Sequence, residues 1–153
     1  MDRKKRVEEL KRKNRIAVLC RRWNDYGIKI SIDSFLSQRE TIAIQKDIIN
    51  MLDILDVHHK SMIYSKTENV LNKYKKELFH YIDDDERYVF FLKKSTDYGA
   101  VVINGNTLKE NMDFIIGESE YFNNTCCIFC CTESVVSGIC MWLGEYDNRI
   151  YVW

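Results

Sequence analysis

The chain contains no proline in 153 residues, where average usage gives roughly 8. Turns therefore rely on Gly, Asn, Asp and Ser. Glycine occurs only six times, and none of the six is arranged as a phosphate cradle. Histidine occurs three times, with none after His80. Charge of one sign is lacking as well: 23 Lys and Arg stand against 23 Asp and Glu, which disfavours both a globally basic nucleic-acid coat and a globally acidic mimic. No run approaches the roughly 18 apolar residues of a membrane span. The basic start leads only into "IAVLC", too short for the apolar part of a signal peptide. These absences read as a soluble, cytoplasmic protein with no membrane partner.

An apolar fraction of 46% supports a buried core, and the length fits one domain over residues 1–153. The charge is polarised within that domain. The first 22 residues hold ten basic side chains against three acidic ones, so they carry plus seven and the remainder minus seven. Residues 1–22 are thus a basic helical arm on an acidic body. Val7 and Leu10 begin a helical stripe, Asn14 interrupts it, and the stripe resumes around Ala17, Val18 and Leu19, leaving the first three turns solvated.

Between the arm and the next helix, Ile28, Ile30 and Ile32 alternate with Lys29, Ser31 and Asp33, the period of a half-buried strand. A loop bridging two helices is the competing reading. Ser37 and Glu40 form a capping box, and Ile44, Ile48, Met51 and Leu55 repeat at helical spacing, widened by Ile49 and Leu52, which predicts a helix over about 38–57. Thr67 caps a third helix whose apolar face is Leu71, Tyr74, Leu78 and Ile82. Four consecutive acids, Asp83 to Glu86, end it, because carboxylates sit poorly at the negative end of a helix. Next come "YVFFL", the turn "STDYG" and "AVVI", a hairpin. Thr107 and Glu110 suggest a second capping box before a short helix. "TCCIFCC", "GICMWLG" and "RIYVW" then read as three strands, the last two a hairpin through residues 144–148. Helices first and strands second predict an α+β fold: N-terminal helices followed by an antiparallel or mixed sheet with one inserted short helix, helices packed on one face.

Chemistry is sparse in this pattern. Six cysteines without an export signal read as reduced thiols. Cys127 and Cys130 have the gap of a zinc knuckle, but a structural site needs a second ligand pair, and an extended strand scatters the cluster over two faces. Buried core cysteine is the better reading. His58 and His59 diverge on a helix, and Glu77 with His80 supplies one copy of a motif that di-iron bundles need twice. No G-x-S-x-G elbow is present, and "DDDE" reads as a solvated loop rather than an acid/base pair. The expectation is therefore no enzyme, no catalytic residue, no metal and no cofactor. Asn123, Asn124 and Thr125 spell a glycosylation sequon without meaning in a protein that is not secreted.

Two surfaces remain. Clustered Lys and Arg in residues 1–22 offer sequence-independent affinity for nucleic acid, although interleaved aromatics are missing until Trp23 and no reading motif appears. The acidic body is the more suggestive surface. Asp83, Asp84, Asp85, Glu86, Asp97, Glu118, Glu120, Glu145 and Asp147 all fall at loops or element ends, where they can collect near one edge and steer a basic partner. Tyr88, Tyr98, Tyr121, Tyr146 and Trp153 are candidate aromatic anchors beside them.

A small α+β body with an acidic excess, many Tyr and Cys residues and no catalytic constellation resembles the immunity proteins of bacterial polymorphic toxin systems, including the contact-dependent growth inhibition type. The resemblance is one of overall character across the whole chain and transfers no functional residue. It implies an antitoxin that binds one cognate toxin domain, often a basic nuclease, and blocks its active site or substrate surface. The alternative is a small regulatory protein that binds nucleic acid through the basic arm.

Overall fold

The computed structural model describes residues 2–119 and 127–153. The expectations placed on Glu120, Tyr121, Asn123 to Thr125 and Cys126 lie outside the described residues. Helix α1 runs Arg3–Tyr26, and Gly27, at φ 102, closes it in the left-handed conformation that glycine adopts without a Cβ penalty. Its first turns are exposed, as their polarity dictates. Docking begins at Arg12, whose Nε donates to the Tyr98 carbonyl and whose Nη2 donates to the Leu36 carbonyl, both at 3.0 Å. The buried stripe is Ile16, Cys20 and Trp23; of the expected Ala17, Val18 and Leu19, only Leu19 packs against it, partly buried, since consecutive residues cannot share one helical face.

The segment after α1 is a loop with a single 3-10 turn at Ile32–Ser34 rather than a strand. Ile28 is buried while Ile32 is exposed, so the alternation expresses no sheet face. Helix α2 runs Gln38–Val57 with the expected capping box: Ser37 Oγ accepts from Glu40 N and Glu40 Oε2 accepts from Ser37 N. These bonds hold the Glu40 carboxyl below its usual range. Thr41 then reaches inward, its Oγ1 accepting from Ala100 N at 2.8 Å.

A short strand, β1 (Ser61–Tyr64), precedes α3 (Val70–Tyr81). Asn69, not Thr67, caps α3, accepting from Asn72 N at 3.2 Å. The helix stops before the acidic run, which docks by backbone on a later turn: Gly105 N donates to the Glu86 carbonyl and Asn106 N to the Asp84 carbonyl. A Cβ at Gly105 falls 1.8 Å from the Asp83 carbonyl oxygen, so the approach requires glycine. Strands β2 (Arg87–Phe90) and β3 (Val101–Asn104) pair as expected, with α4 (Ser95–Tyr98) in the connection. Two short helices follow, α5 (Gly105–Glu110) and α6 (Met112–Gly117). The Thr107 capping box does not form, because α5 starts two residues earlier and Glu110 instead accepts from Asn106 Nδ2. Strands β4 (Cys127–Thr132), β5 (Gly138–Leu143) and β6 (Asn148–Val152) complete the chain.

Among the described residues six strands form one antiparallel sheet, ordered β1-β6-β5-β4-β2-β3. Helices cover both of its faces, correcting the one-faced packing expected. Ile16, Trp23, Tyr74, Leu78 and Leu108 pack with Phe90, Ile128, Ile139 and Ile150 on one side. Ile48, Leu52 and Leu55 of α2 pack with Val89, Phe129, Cys140 and Tyr151 on the other. The physical reason lies in the strands themselves: "YVFF", "CIFCC" and "GICMWL" are continuous apolar runs, the mark of strands buried on both faces. The mixed α+β architecture stands, but it has three layers. Among the described residues no helix is long and apolar enough to cross a membrane.

The cysteines fill these two cores. Cys130 packs on the α1/α3 side, while Cys131 and Cys140 pack on the α2 side. Burial pushes the Cys131 thiol from its ordinary 9.0 up to about 12 and the Cys130 thiol well above its usual range. A thiol that stays protonated when folded but ionises when unfolded contributes stability that is whole below pH 9 and lost as pH climbs toward 12. The urea midpoint is therefore expected to be level near neutrality and to fall above about pH 9, less steeply in Cys131→Ala. A midpoint flat to about pH 11 contradicts this packing.

Candidate functional site

The sheet separates the acidic residues that sequence position seemed to gather. In this antiparallel order β2 begins at the end where β5 begins, so Asp83 to Glu86 lie at the opposite end from the β5–β6 turn that carries Glu145 and Asp147. Asp84 is already paired with Lys109 Nζ at 2.7 Å. Asp97 meets Arg15 of α1 at 3.4 Å. Glu118 is mostly covered, accepting from Arg22 and, at 3.2 Å, from the Trp23 indole Nε1. These last two carboxylates anchor the basic helix on the body. Several expected anchors are core residues: Tyr88 is buried, and Tyr98, only 6% exposed, directs its hydroxyl to the Lys93 carbonyl. Trp153 donates from Nε1 to the Val135 carbonyl at 3.0 Å. Tyr146 alone among the described candidates stands out in solvent, 85% exposed.

Where carboxylates do converge is the cleft between the second half of α2 and the β5–β6 hairpin. It encloses about 300 Å³ and is lined by Asp53, Asp56, Trp142, Glu145, Tyr146 and Asp147, among others. Ile49, Asp53 and Asp56 reach it together because they are four and seven residues apart on α2. The hairpin supplies the other wall, its turn closed by Gly144 N donating to the Asp147 carbonyl at 2.8 Å.

Arg149 organises the floor. Its Nε and Nη2 grip Asp147 at 2.9 and 3.1 Å, and its Nη1 donates to Asp56 Oδ1 at 2.8 Å. The Tyr151 hydroxyl donates to the same Asp56 oxygen at 2.9 Å. The Arg149 hydrogen bonds hold the Asp147 carboxyl below its usual range, and that pairing raises the guanidinium in turn. Partial burial, reinforced by Asp56, pushes the Tyr151 phenol up to about 12. The site thus sets four carboxylates against one guanidinium. Asp53 and Glu145 have no ion pair among the described residues.

The lining of this cleft contains no serine, cysteine, histidine or lysine, so it offers no side chain for nucleophilic attack of the kind those residues perform. Among the described residues, no three His, Cys, Asp or Glu side chains are grouped to hold a metal ion. His80 is exposed, and its Nδ1 donates to the Lys76 carbonyl, 2.7 Å away.

The model of one family, described as YxiF protein, matches residues 22–153. The chain belongs to the YxiF family. The YxiF match spans the three-layered body and both walls of the acidic cleft, and it begins at Arg22, near the end of α1. No curated protein and no solved structure matches the chain.

Sequence reasoning reached Glu145, Tyr146 and Asp147 but missed Asp53 and Asp56. The available signal was two carboxylates three residues apart on the polar face of a strongly patterned helix. That spacing marks an acidic helical face, yet only the packing of α2 on the sheet brings the hairpin turn to it.

Proposed function

We propose that the chain is a non-enzymatic immunity protein that binds a cognate toxin domain, a basic nuclease, and blocks its active site or substrate surface. The observation that carries this reading is the convergence of Asp53, Asp56, Glu145 and Asp147 on one open cleft with Tyr146 at its rim. Ionised carboxylates beside low-dielectric walls raise the encounter rate with a cationic surface, and an exposed tyrosine adds contact area at small cost in conformational freedom. Arg149 orients Asp56 and Asp147 before any partner arrives, so the acidic surface needs little reorganisation on binding. Such a protein acts in the cytoplasm, where a nuclease toxin meets its substrate.

The test pairs this chain with the toxin domain encoded beside its gene. Co-expression is expected to rescue growth of cells making that domain, and failure to rescue overturns the immunity reading. With the purified pair, Asp53→Lys combined with Glu145→Lys is expected to slow association about tenfold at low salt while changing dissociation far less. Equal association rates for the variant and the parent chain remove the acidic cleft from the contact surface.

A further inference from the structure

Helix α1 carries two apolar faces, and the fold buries only one of them, that of Ile16, Cys20 and Trp23. Val7, Leu10, Asn14 and Ala17 stand three, four and three residues apart, the alternation that keeps side chains in line along a helix. Val18 lies beside them, four residues from Asn14. At about 3.6 residues per turn these side chains fall within an arc of roughly 100°, centred about 145° round the helix from the buried stripe. All are exposed, Val7 at 43%, Leu10 at 55% and Val18 at 61%. Solvent therefore meets an apolar strip about 16 Å long with one amide near its middle.

Both flanks of the strip are cationic. Lys4 and Lys11 border one side, Arg6 and Lys13 the other, each pair one heptad apart. Lys13 is paired with Glu9 at 3.3 Å, whereas Lys4, Arg6 and Lys11 have no side-chain partner among the described residues. The helix that presents them is already formed: Asp2 caps it by accepting from Lys4 N, and Arg12 ties it to the Tyr98 and Leu36 carbonyls. A second copy of the chain does not fit the strip. Parallel pairing sets Arg6 against Lys11, and antiparallel pairing sets each cationic row against itself. A bilayer is disfavoured by the amide in the middle of the strip and by the lack of an aromatic ring on it. Nucleic acid is disfavoured because the apolar side chains separate the two rows of cations.

We propose that this strip docks an acidic amphipathic helix of another protein, laid along α1 with its apolar side chains on Val7, Leu10, Ala17 and Val18 and its carboxylates facing Lys4, Arg6 and Lys11. Apolar contact supplies the affinity, and opposite charge on both flanks selects the partner. Asn14 sets the register, because a buried amide is satisfied only by a polar side chain placed opposite it. Because α1 is ordered before the partner arrives, docking costs little conformational freedom on this side. The strip lies with α1 on the opposite side of the sheet from α2 and the acidic cleft. The two surfaces can be occupied together, and this docking stands independently of toxin binding.

Fluorescence anisotropy of the full chain with a labelled peptide of about 21 residues tests it, the heptads carrying leucine on the apolar face, glutamate on both flanks and one asparagine to meet Asn14. Binding is expected at about 10 to 100 μM in roughly 50 mM salt, weakening as salt rises. Leu10→Glu and Val18→Glu are each expected to weaken it about tenfold, with an unchanged urea midpoint because both side chains are exposed. Lys4→Glu with Lys11→Glu is expected to weaken it about tenfold as well, and to bind more tightly than the parent chain does to the same peptide with lysine in place of glutamate. No binding of the glutamate peptide up to about 500 μM overturns the proposal. So does equal binding of the glutamate and lysine peptides by the parent chain. Dimerisation of the chain that Leu10→Glu abolishes gives the strip to a second copy and overturns it too. Displacement by phosphatidylglycerol vesicles or oligothymidine as readily as by unlabelled peptide gives the strip to a membrane or to nucleic acid, with the same consequence.

Discussion

Trp23→Ala is expected to lower stability by about 3 to 5 kcal/mol, read as a fall in the urea midpoint with the denaturant slope unchanged. Trp23 has no exposed surface and sits where the basic helix meets the body. Its ring packs edge-on against Phe114, 5.6 Å between centroids, and its indole Nε1 donates to Glu118. Truncation removes the largest fully buried side chain of α1 and opens a cavity between that helix, α6 and the sheet. Trp23→Phe keeps most of the volume and loses the indole donor, while Arg22 still serves Glu118. Its expected cost is about 1 kcal/mol. If alanine costs no more than phenylalanine, α1 is not packed on the body as described.

Gly99→Ala is the second severe substitution, with an expected loss of roughly 2 to 5 kcal/mol. Two independent obstacles meet at this residue. Its φ is 110, a left-handed region that a Cβ disfavours, and an added Cβ falls 1.9 Å from the Leu36 carbonyl oxygen. That carbonyl is the one Arg12 Nη2 binds, and Leu36 N donates to Ala100 O beside it. Displacing this strand of chain therefore loosens α1, the start of α2 and the start of β3 together. Gly117→Ala is the matched control, because nothing lies within 4 Å of its added Cβ. Urea unfolding of both variants checks the contrast, and equal midpoints refute the close approach at Leu36.

Local chemistry was legible wherever neighbours in sequence decide the outcome. The Ser37 and Glu40 box and the helix behind it need only residues a few positions apart, and both formed as read. The hairpins β2–β3 and β5–β6 were legible for the same reason. Errors arose where one pattern serves two structures. Ile28, Ile30 and Ile32 alternate, yet no neighbouring strand offers them hydrogen bonds, so they form a loop. Thr67 and Asn69 are both competent caps, and the spacing to the first helical turn selected Asn69.

The candidate sites divide along the same line. Residue order alone established a cationic leading helix on an anionic body, the α+β character and the apolar runs of the strands, because these depend on composition and short-range periodicity. Tertiary structure decided how the charges were used. Folding sent Asp97 and Glu118 to hold α1, put Asp84 against Lys109, and brought Asp53 and Asp56 to the turn bearing Glu145 and Asp147. The physical reason is range: a helix or strand reports its own period, whereas electrostatic pairing depends on distances of a few ångströms between side chains up to about 95 positions apart, as in Trp23 with Glu118. Those distances exist only once the sheet order is set.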